Sequence, residues 1–432
     1  MRKSVKNMLI LLEKLYSNHR TTVSNYFWRF LQILSKQGTS FAIFYISSYH
    51  LEAKIFGEYN YFIAMVFLII SFCDFGISSS VSKLIVEQNL VSKKNVKILV
   101  FNAFFIITLL SSIFSILTFF YFGRFFPEFE KYLLFVIFLI YLIPISSVLD
   151  GIYRGLNKFK SLSLIIFISS LITLIASLAL ISLYGIAGSI FSQVILYSVI
   201  SFLLLLFNIK PTFYFDFIMI RNIIKYAAVI GLGGIAYFFY SRIDVFFLGK
   251  YHYFNELNYF EIINKINSII IIPVYILAQV ISPTITAHAS KNDYKIILNK
   301  LKKFIVYSLL FSVLITIIVL FVGPEIIDLF FSKYSNDDFY SIFYILLIVL
   351  CISLFNGIFP QGFIVGTGDF DIVSKNLIFF GFVNVILDYI FITNFGFIGI
   401  AYSSLIVITI SNIIIITTYF FRIKSRYENK KL

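Results

Sequence analysis

Twelve apolar runs of about 20 residues make up the greater part of this 432-residue chain. A helix rising 1.5 Å per residue needs about that length to cross a hydrocarbon core of roughly 30 Å. In lipid every backbone amide must find its partner within the protein, and runs this long and continuous satisfy that demand as helices. The first six predicted spans are 28–49, 59–80, 98–121, 132–148, 161–183 and 186–207. The second six are 223–248, 258–282, 304–322, 339–359, 372–393 and 397–419. The fold class is therefore an all-α integral membrane protein with about 12 transmembrane helices. Composition agrees, since the chain is 60% hydrophobic and 13% charged, against about a quarter charged in soluble domains.

The chain also repeats itself. Gly151, Gly155, Phe159, Gly185 and Gly188 recur 211 positions later as Gly362, Gly366, Phe370, Gly396 and Gly399. A second echo sets GEYNYF from Gly57 to Phe62 against NELNYF from Asn255 to Phe260, at an offset of 198, so an insertion or deletion separates the two. Gly occurs only 20 times, which makes duplication the better reading of these coincidences. With six spans per half both copies enter the membrane in the same sense. The prediction is two six-helix parallel-repeat bundles around a central cavity. The bundles are predicted at 1–208 and 223–432, joined by a basic cytoplasmic linker at 209–222 that contains Pro211.

Lys and Arg concentrate in the cytoplasmic loops of membrane proteins, so their distribution sets the orientation. One side holds 26 of the 35, including Arg2, Lys3, Lys6, Lys14 and Arg20 before the first span, Lys93 and Lys94 after the second, Lys210 in the linker and Arg422 to Lys431 at the end. Arg154, Lys158 and Lys160 belong to the same side, between spans 4 and 5. The other side holds five: Lys54, Arg124, Lys131, Lys250 and Lys333. Both termini are thus predicted to be cytoplasmic. The net charge of +14 follows from this topology and from attraction to anionic headgroups, and gives no reason to expect nucleic acid.

The remaining charges sit within or at the edges of spans, where each is costly and marks a functional candidate. Four are cations: Arg29, Lys36, Arg242 and Lys265. Four are acids: Asp74, Asp244, Glu261 and Asp388. Arg29 and Lys36 are seven residues apart on one helical face, which suits a stripe facing a phosphate or an Arg29 that reaches back to the interface. Glu261 and Lys265 stand at i, i+4 with the acid first, the favourable order for an ion pair within a helix. Arg242 and Asp244 are two apart and point to different faces, so at least one needs a partner on another span. Asp74 precedes Phe75 and Gly76, where it caps backbone amides at a break or titrates during transport. For Asp388, ion coupling and a hydrogen bond to a neighbouring span both stay open. Gly231, Gly233 and Gly234 in IGLGGIA are expected to serve close packing.

Several chemistries lack their residues. The sequence has no phosphate-binding nucleotide loop, no His/Cys metal spacing and no outer loop long enough for a catalytic domain. The 54 Phe and 29 Tyr largely flank the spans as an interfacial belt, and a minority of them are available to stack on sugar rings.

The segment FGEYNYFIAMVFLIISFCDFGISSSVSKLI from Phe56 to Ile85, SRIDVFFLGK from Ser241 to Lys250, the glycine pattern from Gly151 to Phe159 and YGIAG from Tyr184 to Gly188 carry a family resemblance. Across nearly the whole chain they resemble the polysaccharide flippase branch of the multidrug, oligosaccharidyl-lipid and polysaccharide exporter superfamily. The resemblance implies a multi-pass protein of the bacterial inner membrane, not an enzyme. It moves an undecaprenyl-diphosphate-linked oligosaccharide to the outer leaflet by alternating access, for O-antigen, lipopolysaccharide or capsule. By that analogy Arg29, Lys36, Arg242 and Lys265 line the diphosphate and glycan cavity, and Asp74, Asp244, Glu261 and Asp388 serve coupling or gating. No bound cofactor is implied beyond proton or sodium coupling. Implied partners are the lipid-linked substrate, membrane lipids and a polysaccharide polymerase with its chain-length machinery. A cation-coupled drug exporter of the same superfamily is the alternative, distinguished by an anionic cavity. A membrane polymerase or glycosyltransferase is the third reading, and it needs the large outer loop that this chain lacks.

Overall fold

The computed structural model describes residues 2–89, 92–206 and 211–429, with side chains from residue 24 onward except at 26, 89, 93 and 229. Residues 209 and 210 of the predicted linker, together with Lys430 and Lys431, lie outside the described residues, as do the side chains of Arg2, Lys3, Lys6, Lys14, Arg20 and Lys93. All regular structure among the described residues is helical. The helices of the first half are α1 (Arg2–His50), α2 (Ala53–Asp74), α3 (Ile77–Asn89), α4 (Lys93–Phe125), α5 (Leu133–Gly155), α6 (Phe159–Tyr184) and α7 (Ile186–Leu206). Those of the second half are α8 (Phe217–Ser241), α9 (Ile243–Lys250), α10 (Phe254–Ser290), α11 (Tyr294–Phe331), α12 (Asp337–Asn356), α13 (Val365–Thr367), α14 (Phe370–Phe395) and α15 (Phe397–Asn429).

Eleven helical stretches among the described residues are long and apolar enough to cross a membrane, and the chain is a multi-pass membrane protein. The predicted count was twelve. The missing one is 28–49, where α1 runs on as a helix but carries Arg29, Gln32, Lys36 and Gln37 in what is otherwise an apolar run. Two predicted spans are also interrupted. The second breaks after Asp74, where Phe75 and Gly76 both take positive φ, and continues as α3. The seventh breaks at Arg242, which separates α8 from α9.

The helices group into two compact units. One comprises Met1–His50 with Ile69–Gly231, and the other Leu51–Leu68 with Leu232–Leu432. The predicted bundles divided the chain at 209–222, and packing explains the different grouping. Asn60 and Asn258 are hydrogen-bonded, and a Cβ at Gly57 would collide with the Phe254 carbonyl, so Leu51–Leu68 belongs with α10. In the first unit Ser80 Oγ donates to the Ile223 carbonyl at 3.0 Å, and a Cβ on Gly76 would lie 2.8 Å from the Gly231 nitrogen. The start of α8 is held there by those contacts.

The glycine echo is a three-dimensional repeat. In the first unit a Cβ on Gly155 would stand 2.8 Å from both the Ser82 carbonyl oxygen and Ile85 Cβ. In the second unit Gly366 meets Ser282 at 2.9 Å and Ile285 at 2.8 Å. Gly151 abuts the Ser78 carbonyl as Gly362 approaches that of Ala278, and Gly188 abuts Leu180 as Gly399 abuts Phe391. Gly185 and Gly396 end α6 and α14 with φ of 55° and 64°, a backbone region where a Cβ is strained. Each copy thus uses glycine where one helix must approach the backbone of another. Gly231 fills the same role against Phe75, but Gly233 and Gly234 face open space.

Candidate functional site

The second unit gathers most of the predicted charges around the break between α8 and α9. α8 ends at Ser241, and Arg242 has φ −140° and ψ 1° before α9 begins. Its amide still donates to the Phe238 carbonyl at 2.8 Å, so the helix stops one residue later. The carbonyls of Phe239 and Tyr240 accept from Asn384 Nδ2 on α14 at 3.3 and 3.2 Å. A break at membrane depth survives only when its freed carbonyls find donors, and Asn384 supplies two such contacts. Sequence reading passed over Asn384, because an amide inside an apolar helix has no charge to flag it.

From the break Arg242 reaches α10. Its Nη1 donates to Glu261 Oε1 at 2.9 Å and its Nη2 to Oε2 at 3.4 Å, a forked contact. The Glu261 side chain is 4% exposed and that of Arg242 36% exposed, so the acid is the more sequestered partner. Arg242 thus finds its partner on another helix, and Glu261, expected to neutralise Lys265, takes Arg242 as well. Lys265 lies one turn beyond Glu261 on the same helix, half-buried.

Asp244 and Asp388 are both buried. Asp244 stands in the first turn of α9 and accepts from the Val245 amide at 2.9 Å. Asp388 on α14 accepts from Ser403 Oγ on α15, and its second oxygen is buried with no hydrogen-bond partner among the described residues. The two carboxylates lie within electrostatic reach of one another. An acid with one oxygen unsatisfied in such surroundings is suited to take up a cation or a proton.

In the first unit Asp74 accepts from the Ser78 amide, Ser78 Oγ and Ser147 Oγ, each at 3.1 Å. It caps the start of α3 after the Phe75–Gly76 break, which is the anchoring arrangement. On α1, Arg29 and Lys36 go to different partners. Arg29 Nη1 donates to Gln32 at 2.6 Å and lies 3.7 Å from Asp150 on α5. The Lys36 ammonium stands 5.4 Å from the centre of the Tyr197 ring on α7. Asp150, and Arg154 with its Nε 2.5 Å from Asp150, were not singled out from the sequence, because both fall just past the end of an apolar run. Asp369 was missed for the same reason. It receives Arg422 at 3.2 Å and Arg426 at 2.7 Å from the end of α15.

Comparison with known proteins follows this geometry. A family model described as polysaccharide biosynthesis protein matches residues 22–288, and one described as MatE matches residues 229–390. An inward-facing multidrug resistance MATE family transporter of the MOP superfamily has 14% identity, covering 91% of this chain and 96% of that one with a TM-score of 0.73. The lipid II flippase MurJ in an inward closed conformation has 17% identity, covering 93% and 89%, with a TM-score of 0.72. A MOP superfamily transporter from Pyrococcus furiosus has 16% identity, covering 94% and 96%, with a TM-score of 0.68. At these identities the likeness establishes the fold. Comparison with curated proteins gave no match.

Proposed function

Because this chain belongs to the polysaccharide biosynthesis protein family and has the fold of MOP-superfamily transporters, we propose that it is a flippase for a diphosphate-linked oligosaccharide lipid. In this reading the substrate is an undecaprenyl-diphosphate-linked repeat unit, moved from the cytoplasmic to the outer leaflet of the bacterial inner membrane. The observation that carries it is the extent of the family match, since residues 22–288 include all four cations placed in spans, Arg29, Lys36, Arg242 and Lys265. A diphosphate needs cations, the sugars need polar walls, and the polyprenyl tail stays in lipid. Arg242, anchored on Glu261, is the cation proposed for the first role. Ion coupling falls to Asp388 and Asp244, whereas Asp74 is engaged in capping. Both termini are cytoplasmic in this reading, and the product feeds a polymerase that acts on the far leaflet.

A second reading is a cation-coupled exporter of drug-like cations. The match of residues 229–390 to the MatE model and the buried Asp244 and Asp388 favour it. Deletion of the gene in its native host separates the two. A flippase predicts loss of surface glycan with accumulation of unpolymerised lipid-linked units on the inner leaflet. Intact surface glycan with increased sensitivity to cationic drugs moves the exporter to first place.

A further inference from the structure

We propose that residues 211–218 form a docking strap for anionic phospholipid on the first unit. Their exposed aromatic rings lodge at the membrane boundary, and Lys94, Lys97, Arg221 and Lys225 bind the phosphate headgroups beside them. From Pro211 to Asp216 the segment has no regular structure, and it is fixed to α4 instead. The Thr212 amide donates to the Lys97 carbonyl at 3.2 Å. Asn102, buried, donates through Nδ2 to the Tyr214 carbonyl at 3.0 Å, and its Oδ1 accepts from the Asp216 amide at 3.3 Å. The Phe101 ring meets those of Phe213 and Phe215 at 5.2 and 5.1 Å, and Phe105 meets Phe215 at 4.9 Å, each edge to face. Irregular backbone beside a bilayer needs its polar groups satisfied, and Asn102 does that for two of them.

Held this way, the segment turns apolar surface outward. Phe213 and Phe217 are 83% and 81% exposed, and Tyr214 and Phe215 are more than half exposed. The patch is continuous with the apolar exterior of α4, a helix long enough to span a membrane, through the contact of Phe215 with the exposed Phe105. Lipid is therefore the occupant that already adjoins it. Aromatic rings with basic residues around them are the composition of an interfacial anchor.

Charge selects the class of lipid. Lys94 and Lys97 on α4 and Arg221 and Lys225 on α8 are exposed, and neither helix contains an Asp or Glu. Asp216, the only acid between Pro211 and Ser241, is turned to the fold: its Oδ1 accepts from the Ile218 and Met219 amides at 2.9 and 3.0 Å and caps α8. The strap thus offers cations without a competing carboxylate of its own, which fits an anionic headgroup and gives a zwitterionic one no advantage. Each Lys or Arg held near an anionic surface favours it about fivefold. None of these residues is among the charges assigned to cargo or coupling, so the strap is the same whether the protein moves a glycan lipid or a drug.

The test reads lipid contact directly. The chain has one tryptophan, so Trp28→Phe gives a dark background for Phe213→Trp and, separately, Phe217→Trp. Each full-length variant is placed in phosphatidylcholine nanodiscs in which an equal share of lipid is brominated phosphatidylcholine or brominated phosphatidylglycerol. Both lipids are expected to quench the indole, with phosphatidylglycerol favoured about fivefold or more. Adding Lys97→Gln with Arg221→Gln, two exposed changes that leave the packing on α4 intact, is expected to remove most of that preference while quenching by phosphatidylcholine stays. Asn102→Leu, which keeps α4 apolar and releases the segment, is expected to weaken quenching by both lipids. A change in unfolding temperature with quenching unaltered would limit Asn102 to a structural role and overturn its part as the clamp. Equal quenching by the two lipids, or a preference that survives loss of both cations, overturns the anionic-lipid site. Quenching by neither lipid overturns the strap altogether and gives this face to a second copy or another protein.

Discussion

Asn60 Nδ2 donates to Asn258 Oδ1 at 3.1 Å, and the two residues hold the same place in GEYNYF and NELNYF, the echoed segments of the duplication. Both are buried, and Asn258 also donates to the Ala53 carbonyl at 2.6 Å. A residue that meets its own counterpart ties the two copies of the repeat at one point. The pair is expected to contribute a coupling of about 0.5–1.7 kcal/mol, the range found for side-chain hydrogen bonds between membrane helices. A double-mutant cycle of Asn60→Ala and Asn258→Ala, read by denaturation in detergent, measures it. Asn258→Ala is expected to be the worse single change, since it also strips the Ala53 carbonyl.

The repeated glycines give a second prediction with an internal control. Gly155→Ala and Gly366→Ala each bring a Cβ within 2.8 Å of an isoleucine Cβ, with a backbone carbonyl 2.8 or 2.9 Å away. Overpacking of that kind costs about 1–3 kcal/mol. Gly233→Ala meets nothing within 4 Å and is expected to leave the unfolding temperature unchanged or raise it slightly. Equal loss at Gly155 and Gly366 with none at Gly233 identifies close helix approach as the reason for the echo.

The spans, the repeat and the candidate charges were legible because each is a local pattern. A run of apolar residues, a recurring glycine or a charge in lipid announces itself in one stretch of chain. Partners were not legible. Glu261 has Lys265 four residues away, and only folding brings Arg242, nineteen positions distant, onto its carboxylate. Asp150 and Arg29 are 121 positions apart, and Asp150 lay beyond the apolar run to which it belongs structurally. The break at Arg242 was also hidden, because apolar residues continue on both sides and hydropathy does not register a change of backbone direction, whereas Phe75 and Gly76 marked the one after Asp74.

The Arg242–Glu261 contact changes how a loss of transport must be read. Arg242→Ala leaves an acid that is 4% exposed without its guanidinium, and breaking a buried pair from one side costs about 3–5 kcal/mol. Low activity in that variant therefore mixes instability with loss of a binding cation. The neutral pair Arg242→Gln with Glu261→Gln is expected to recover most of the stability, seen as a return of the unfolding midpoint. If the double variant is stable and still fails to restore surface glycan, Arg242 acts on substrate. Restored glycan assigns the pair to structure alone.

Asp388 offers the sharpest test of coupling. Ser403 satisfies one of its oxygens, and the other is buried with no hydrogen-bond partner among the described residues. Asn at this place preserves shape and can still accept from Ser403, but it cannot carry the charge that attracts a cation or take up a proton. Asp388→Asn is accordingly expected to insert and fold, with an unfolding midpoint close to that of the parent or above it, since burying an unpaired carboxylate is costly. Transport into vesicles should then lose its response to an imposed proton or sodium gradient. Gradient-driven transport that persists in Asp388→Asn removes the residue from coupling. A collapse of stability would instead mean that the acid is held by a favourable interaction, because only a satisfied charge is missed when it is neutralised.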